Sequence, residues 1–80
     1  MPGNLQRSPK IVGAKQTTKA LQNGTARTVY VAQDADDHVT QPIKELCAQN
    51  NVPVIEVETM AELGRACSIA VGAAVAAIIE

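Results

Sequence analysis

Eighty residues limit the chain to one compact core, because a protein this short buries only roughly 60% of the surface its unfolded form exposes. Nearly half the residues are apolar at 46%, yet Tyr30 is the only aromatic, so that core must be built from Val, Ile, Leu and many Ala at close backbone distances. The net charge of −1 taken alone argues against a nucleic-acid binder, but its distribution argues the other way: up to Gln33 every charged side chain is basic (Arg7, Lys10, Lys15, Lys19, Arg27), and all eight acids follow from Asp34 onward beside only Lys44 and Arg65.

Residues 1–9 carry Pro, Gly, Asn and Ser with little apolar periodicity and read as an arm or a shortened first helix of a single domain spanning 1–80. Lys10 to Val12 begin a short strand. From Gly13 the pattern changes: Ala14, Thr17 or Thr18, and Leu21 fall at helical spacing, and Asn23-Gly24 closes a ten-residue helix as a C-cap should. Thr28 to Ala32 is short and rich in β-formers, which suits a buried central strand, and Asp34 to Asp37 break it. Val39, Ile43, Leu46 and Cys47 make the next amphipathic helix, in which Pro42 is expected to be tolerated by lying in the first turn.

Asn50-Asn51 stops that helix, and Val52 to Val57 reads as another strand with Pro53 at its start, where no ladder donor is required. Thr59 is expected to N-cap a short third helix, with Glu62 completing a capping box and Met60, Leu63, Gly64 and Cys67 on its buried face. Ala73 to Ile79 is an apolar strand expected inside the sheet. The alternation predicts an α/β fold, a three-layer α/β/α sandwich on a four-stranded mixed sheet. The apolar run from Ala66 to Ile79 is shorter than the ~20 residues a spanning helix needs and is interrupted by Ser68 and Gly72, so no membrane association is expected.

Parts for catalysis are sparse. His38 is the single histidine and opens a helix at an exposed turn, where polar residues are routine. Asp34, Asp36 and Asp37 are candidate Mg²⁺ ligands, although one short loop supplies few oxygens and the same acids favourably face a helix N-terminus, so capping is expected of at least one. Cys47 and Cys67 lie on apolar helical faces without paired zinc spacing, and no secretory pattern opens the sequence; buried, reduced thiols in a cytoplasmic protein are expected. No catalytic residue, metal site or cofactor is assigned.

Gly13 to Lys19 is different, because it puts a glycine turn at a helix N-terminus and then two lysines one turn apart on one face. Free N–H groups and cations converge there, an arrangement that attracts phosphate oxygens, and Lys15, Gln16 and Lys19 are long enough to reach base edges.

Gly13-Ala14-Lys15-Gln16-Thr17-Thr18-Lys19-Ala20-Leu21, then Val31-Ala32-Gln33-Asp34-Ala35-Asp36, then Val52-Pro53-Val54 and Leu63-Gly64-Arg65-Ala66-Cys67 resemble the ribosomal protein L-seven-Ae and L-thirty-e superfamily, more narrowly its short bacterial members of the YbxF type. The resemblance runs in order from about Lys10 to Ile79, and four separated motifs in register are more specific than any one. It implies an α/β/α sandwich that binds kink-turns, where an RNA duplex bends sharply at a three-nucleotide bulge beside tandem sheared G·A pairs. The helix start at Gly13, Ala14, Lys15, Gln16 and Lys19 matches the element that enters the major groove at the G·A pairs. Asp36 matches an acidic position beside the pocket for an extruded nucleotide. Ile69-Ala70-Val71 matches the apolar loop that packs against bulged bases, and Arg65 is counted with them as an RNA contact.

An exposed Ile-Ala-Val loop also has a physical reading, since it can cover an unstacked base whose face is apolar; its structural alternative is ordinary core. The archaeal and eukaryotic kink-turn proteins usually carry Asn and Glu where this chain has Lys15 and Gln16. A lysine is a point charge, so looser base discrimination with retained backbone attraction is expected. The expected partner is a kink-turn in ribosomal RNA, a riboswitch or a ribonuclease RNA, bound by a non-catalytic monomer. Two other readings are a protein-interaction module of the same fold, in contact through Ile69 to Val71, and a small metal-dependent hydrolase using Asp34, Asp36 and His38.

Overall fold

The computed structural model describes residues 9–79; the expected arm or shortened helix at 1–9 lies, apart from Pro9, outside the described residues. The elements run β1 (Lys10–Val12), α1 (Ala14–Asn23), β2 (Ala26–Ala32), α2 (Asp37–Gln49), β3 (Val54–Val57), α3 (Met60–Ala66) and β4 (Val75–Ile79). The strands form one sheet in the order β1-β4-β2-β3. β2 and β3 are parallel, while β4 runs antiparallel to both of its neighbours. This is the expected mixed sheet with β4 inside it.

Alternation along the strands divides the interior in two. Val29 and Val31 of β2 and Val75 and Ala77 of β4 share a cluster with Leu21 of α1 and with Ile43 and Cys47 of α2. Their neighbours Tyr30, Ala32 and Ala76, with Val57, pack on the opposite face against Leu63, Ala66 and Cys67 at α3. Two helices thus cover one face and a single short helix the other, giving the three layers expected from the sequence. The alanines at the centre let backbones approach closely, so a core with one aromatic still closes. Among the described residues, no helix is long and apolar enough to cross a membrane.

Local chemistry sets the boundaries. Gly24 takes the left-handed conformation with φ 75° and ends α1. Asn50 caps α2 with its side-chain amide donating to the Leu46 carbonyl at 2.8 Å, and Asn51 follows at φ 57°. Thr59 caps α3 by accepting from the Glu62 N–H at 3.0 Å. β2 starts two residues earlier than expected, across a register irregularity between Ala26 and Thr28. β3 starts at Val54 because Pro53 has no N–H; its carbonyl still accepts from Val29 at 3.0 Å.

Two expectations need correction. Asp36 is the N-cap of α2, so Pro42 lies in the second turn and not the first. The bond it forgoes is the one to the carbonyl of His38; both residues are exposed, so the helix carries its proline on the solvent side. Met60 is 36% exposed and not on the buried face of α3, which is formed by Leu63, Gly64, Ala66 and Cys67. As the first residue of the helix it is held through its backbone instead.

The periodicity left Thr17 and Thr18 as alternatives, and the fold buries Thr17 completely. Its hydroxyl has no hydrogen-bond partner. A Thr17→Val substitution removes that orphaned group at nearly constant shape and should raise unfolding free energy by about 1 kcal/mol, read by urea titration.

Cys47 and Cys67 are free and buried. Burial pushes both thiols above their ordinary range, with Lys10 partly offsetting the rise at Cys67, and burial does the same to the Tyr30 hydroxyl. These groups ionise more readily in the unfolded chain, so their contribution is fully present at neutral pH and is lost as pH rises. Stability should therefore fall from about pH 8.5 upward, and Cys47→Ala/Cys67→Ala should flatten that fall relative to the parent. Melting temperatures measured from pH 7 to 10 check it.

Candidate nucleic-acid interface

With β1, β2 and β3 pointing one way and β4 the other, the C-terminal ends of three strands and the start of the fourth meet at one end of the sheet. Backbone hydrogen bonds tie that end together. The Gly13 N–H donates to the Val75 carbonyl at 2.8 Å, Ala32 to Ala74 at 2.9 Å, and Gln33 to Val57 at 2.7 Å. Consequently the start of α1, the β2–α2 loop, the β3–α3 turn and the loop before β4 lie side by side.

Gly13 is the N-cap of α1 with φ 108° and ψ 148°, a conformation essentially restricted to glycine. It joins β1 to α1 while its own N–H is held by β4 and its carbonyl accepts from Thr17 at 3.0 Å. Lys15, Gln16 and Lys19 are exposed, and Thr17, Ala20 and Leu21 form the opposite, buried face. Spacing of four puts Lys15 and Lys19 one above the other. Ala14, half-buried against the α1–α2 core, supports the helix start more than it presents a surface.

Asp36 is exposed, and its Oδ1 accepts from the His38 N–H at 2.8 Å, with the imidazole Nδ1 3.8 Å away. Asp34 accepts from the Met60 N–H at 2.8 Å. Two of the three loop acids therefore cap helices, one locally and one across the fold. Among the described residues, no group of three His, Cys, Asp or Glu side chains is arranged to hold a metal ion.

The third surface is the loop from Ser68 to Ala74. Ile69 is 37% exposed and Val71 71%, and Ala70 is exposed between them, so residues 69–71 form an apolar surface, while Ala73 of the same loop belongs to the core. It lies on α3: the Ile69 N–H donates to the Gly64 carbonyl at 3.0 Å, and a Cβ at Gly64 would collide with the Val71 carbonyl. Arg65 is exposed in the last turn of α3, and its carbonyl accepts from Ser68, which adopts φ 63°.

The fold thus brings the α1 start, Asp36 and residues 69–71 to one end, with Lys19 one turn along α1 and Arg65 at the root of the apolar loop. Sequence reasoning missed the Asp34–Met60 link and the close approach at Gly64. The first joins residues 26 positions apart, beyond any periodicity; for the second, the only signal was a glycine inside a helix.

The model of the ribosomal protein L7Ae/L30e/S12e/Gadd45 family matches residues 4–80 of the chain. The chain is 50% identical over 68 residues to an RNA-binding protein of Caldanaerobacter subterraneus subsp. tengcongensis, covering 85% of this chain and 83% of that one. It is 44% identical over 76 residues to the RNA-binding protein YbxF of Geobacillus stearothermophilus, covering 95% and 93%. Its fold is similar to that of the Giardia lamblia 15.5kD RNA binding protein, with a TM-score of 0.86 at 29% identity over 98% of this chain and 65% of that one.

Because Gly13 joins the start of α1 to β4 through its N–H in a backbone region closed to other residues, Gly13→Ala should destabilise the protein by about 1–3 kcal/mol. In the same chemical denaturation assay Ala14→Ser, half-buried in ordinary helix, should change it by less than about 1 kcal/mol.

Proposed function

The chain belongs to the ribosomal protein L7Ae/L30e/S12e/Gadd45 family, and from that premise we propose that it binds structured RNA at kink-turns and holds the bent form. The observation that carries this reading is the convergence on one end of the sheet of a glycine-capped helix start bearing Lys15, Gln16 and Lys19, the exposed acid Asp36, and the exposed apolar residues 69–71. Each suits a different part of a kinked RNA. Exposed N–H groups and lysines attract phosphate and reach base edges in the groove. Asp36 accepts hydrogen bonds from an extruded base. Ile69, Ala70 and Val71 cover the faces of bulged bases, whose stacking energy has been lost.

The protein acts here as a binder and not a catalyst: by preferring the bent state it shifts a bent–extended equilibrium by its difference in affinity. That the relatives carry the name RNA-binding protein supports the choice of ligand class. A cytoplasmic monomer, one domain over 1–80, and a kink-turn in ribosomal RNA, a riboswitch or a ribonuclease RNA complete the proposal. Arg65 extends the same face toward the RNA backbone. Net negative charge is compatible with this function because Lys15 and Lys19 are both exposed on α1, and a local pair of cations attracts phosphate whatever the sign of the total.

Titrating the protein into a doubly labelled kink-turn duplex, with energy transfer read between the arm ends, should give saturable bending absent from a straight duplex of equal length. Affinity should fall steeply with salt, whereas a protein-interaction module docking through Val71 and Ile69 would associate independently of salt and bend nothing. Lys19→Ala should weaken kink-turn binding by ~1–3 kcal/mol if it reaches a base edge. Unchanged affinity would remove Lys19 from the site.

A further inference from the structure

Met60 lies between the acid-bearing loop and the apolar loop, and both ends of its peptide backbone are engaged. Its N–H donates to Asp34 Oδ1 at 2.8 Å, and its carbonyl accepts from the Ala73 N–H at 3.0 Å. Asp34 stands two residues before the exposed Asp36, and Ala73 two residues after the exposed Val71. Between them, Ala35 and Ala73 are buried in one cluster with Leu63. A Cβ at Gly72 would come within 3.1 Å of the Met60 Cβ, so the apolar loop lies directly against the same residue.

We propose that Asp34 is a positioning residue for RNA binding: through the backbone of Met60 it fixes the apolar loop 69–71 relative to Asp36, so that both reach the bulged nucleotides in one register. The inference rests on the kink-turn reading. The Asp34 carboxylate accepts a charge-assisted bond from the Met60 N–H, and the start of α3 passes the constraint to Ala73. Asp34 itself touches no RNA. The two contact surfaces, separated by more than thirty positions in sequence (Asp36 to Ile69), are set by one relay of two hydrogen bonds.

The test is a double-mutant cycle on kink-turn affinity, paired with amide hydrogen exchange of the free protein. Asp34→Ala should weaken binding roughly tenfold, and Asp34→Asn, which keeps an acceptor oxygen, should restore most of it. In an Ile69→Ala/Val71→Ala background, Asp34→Ala should change affinity less than about twofold, because there is no apolar loop left to position. Exchange at Ala73 should accelerate in Asp34→Ala without RNA present. Gly72→Ala, which displaces the loop from the other side of Met60, should show the same non-additivity and serves if Asp34→Ala fails to fold.

An equal loss in both backgrounds would overturn the proposal, since a purely structural role acts alike on either, and so would unchanged exchange at Ala73. If the parent protein binds no kink-turn, the RNA reading fails by that result alone, while the exchange measurement still decides whether Asp34 holds the loop.

Discussion

The position of β4 is the constraint on which the rest of the structure depends. A strand this apolar, with Val75, Ala76 and Ala77 entirely buried, is stable only where both faces and both edges are covered. Placed between β1 and β2 and antiparallel to each, it gives its first carbonyls to Gly13 and, through Ala74, to Ala32. Those two bonds bring the start of α1 and the end of β2 to the place where the apolar loop arrives. The candidate interface is thus a by-product of how the last strand is inserted.

Close approach then packs the apolar loop onto α3 at that end. Small residues recur where elements pack closely: Gly64 beneath the Val71 carbonyl, Gly72 against Met60, and Ala35, Ala66 and Ala73 in the cluster below. Exposing Ile69 and Val71 to water is unfavourable, and the packing beneath them keeps the loop from folding inward to hide them. For the proposed binding of unstacked bases, an apolar surface already held against α3 is favourable, because ordering a loose loop on binding subtracts from affinity.

Electrostatics follows the same division. The lysines of α1 are exposed, and the acids of the second half are occupied in part by structure: Asp34 and Asp36 cap helices, and Glu62 sits in the first turn of α3, where its charge complements the helix dipole. Net charge is accordingly a poor guide to the ligand of a chain whose two signs are separated along its length.

The sequence by itself determined the alternation of elements, the caps at Gly24, Asn50 and Thr59, the internal place of the last strand and the helix start at Gly13 to Lys19. All of these are written in short-range chemistry: periodicity, turn residues and side chains that satisfy nearby backbone groups. Tertiary structure decided what depends on distant partners. It chose Thr17 over Thr18 for the core, turned Met60 outward, and exposed Ile69 and Val71, which sequence left equally readable as core. It also set Asp34 against Met60, because a carboxylate finds a helix N–H by the folding of the sheet and not by spacing along the chain. Local propensity is a property of a few neighbouring residues, whereas burial and long-range hydrogen bonds exist only once the sheet has fixed which segments are neighbours.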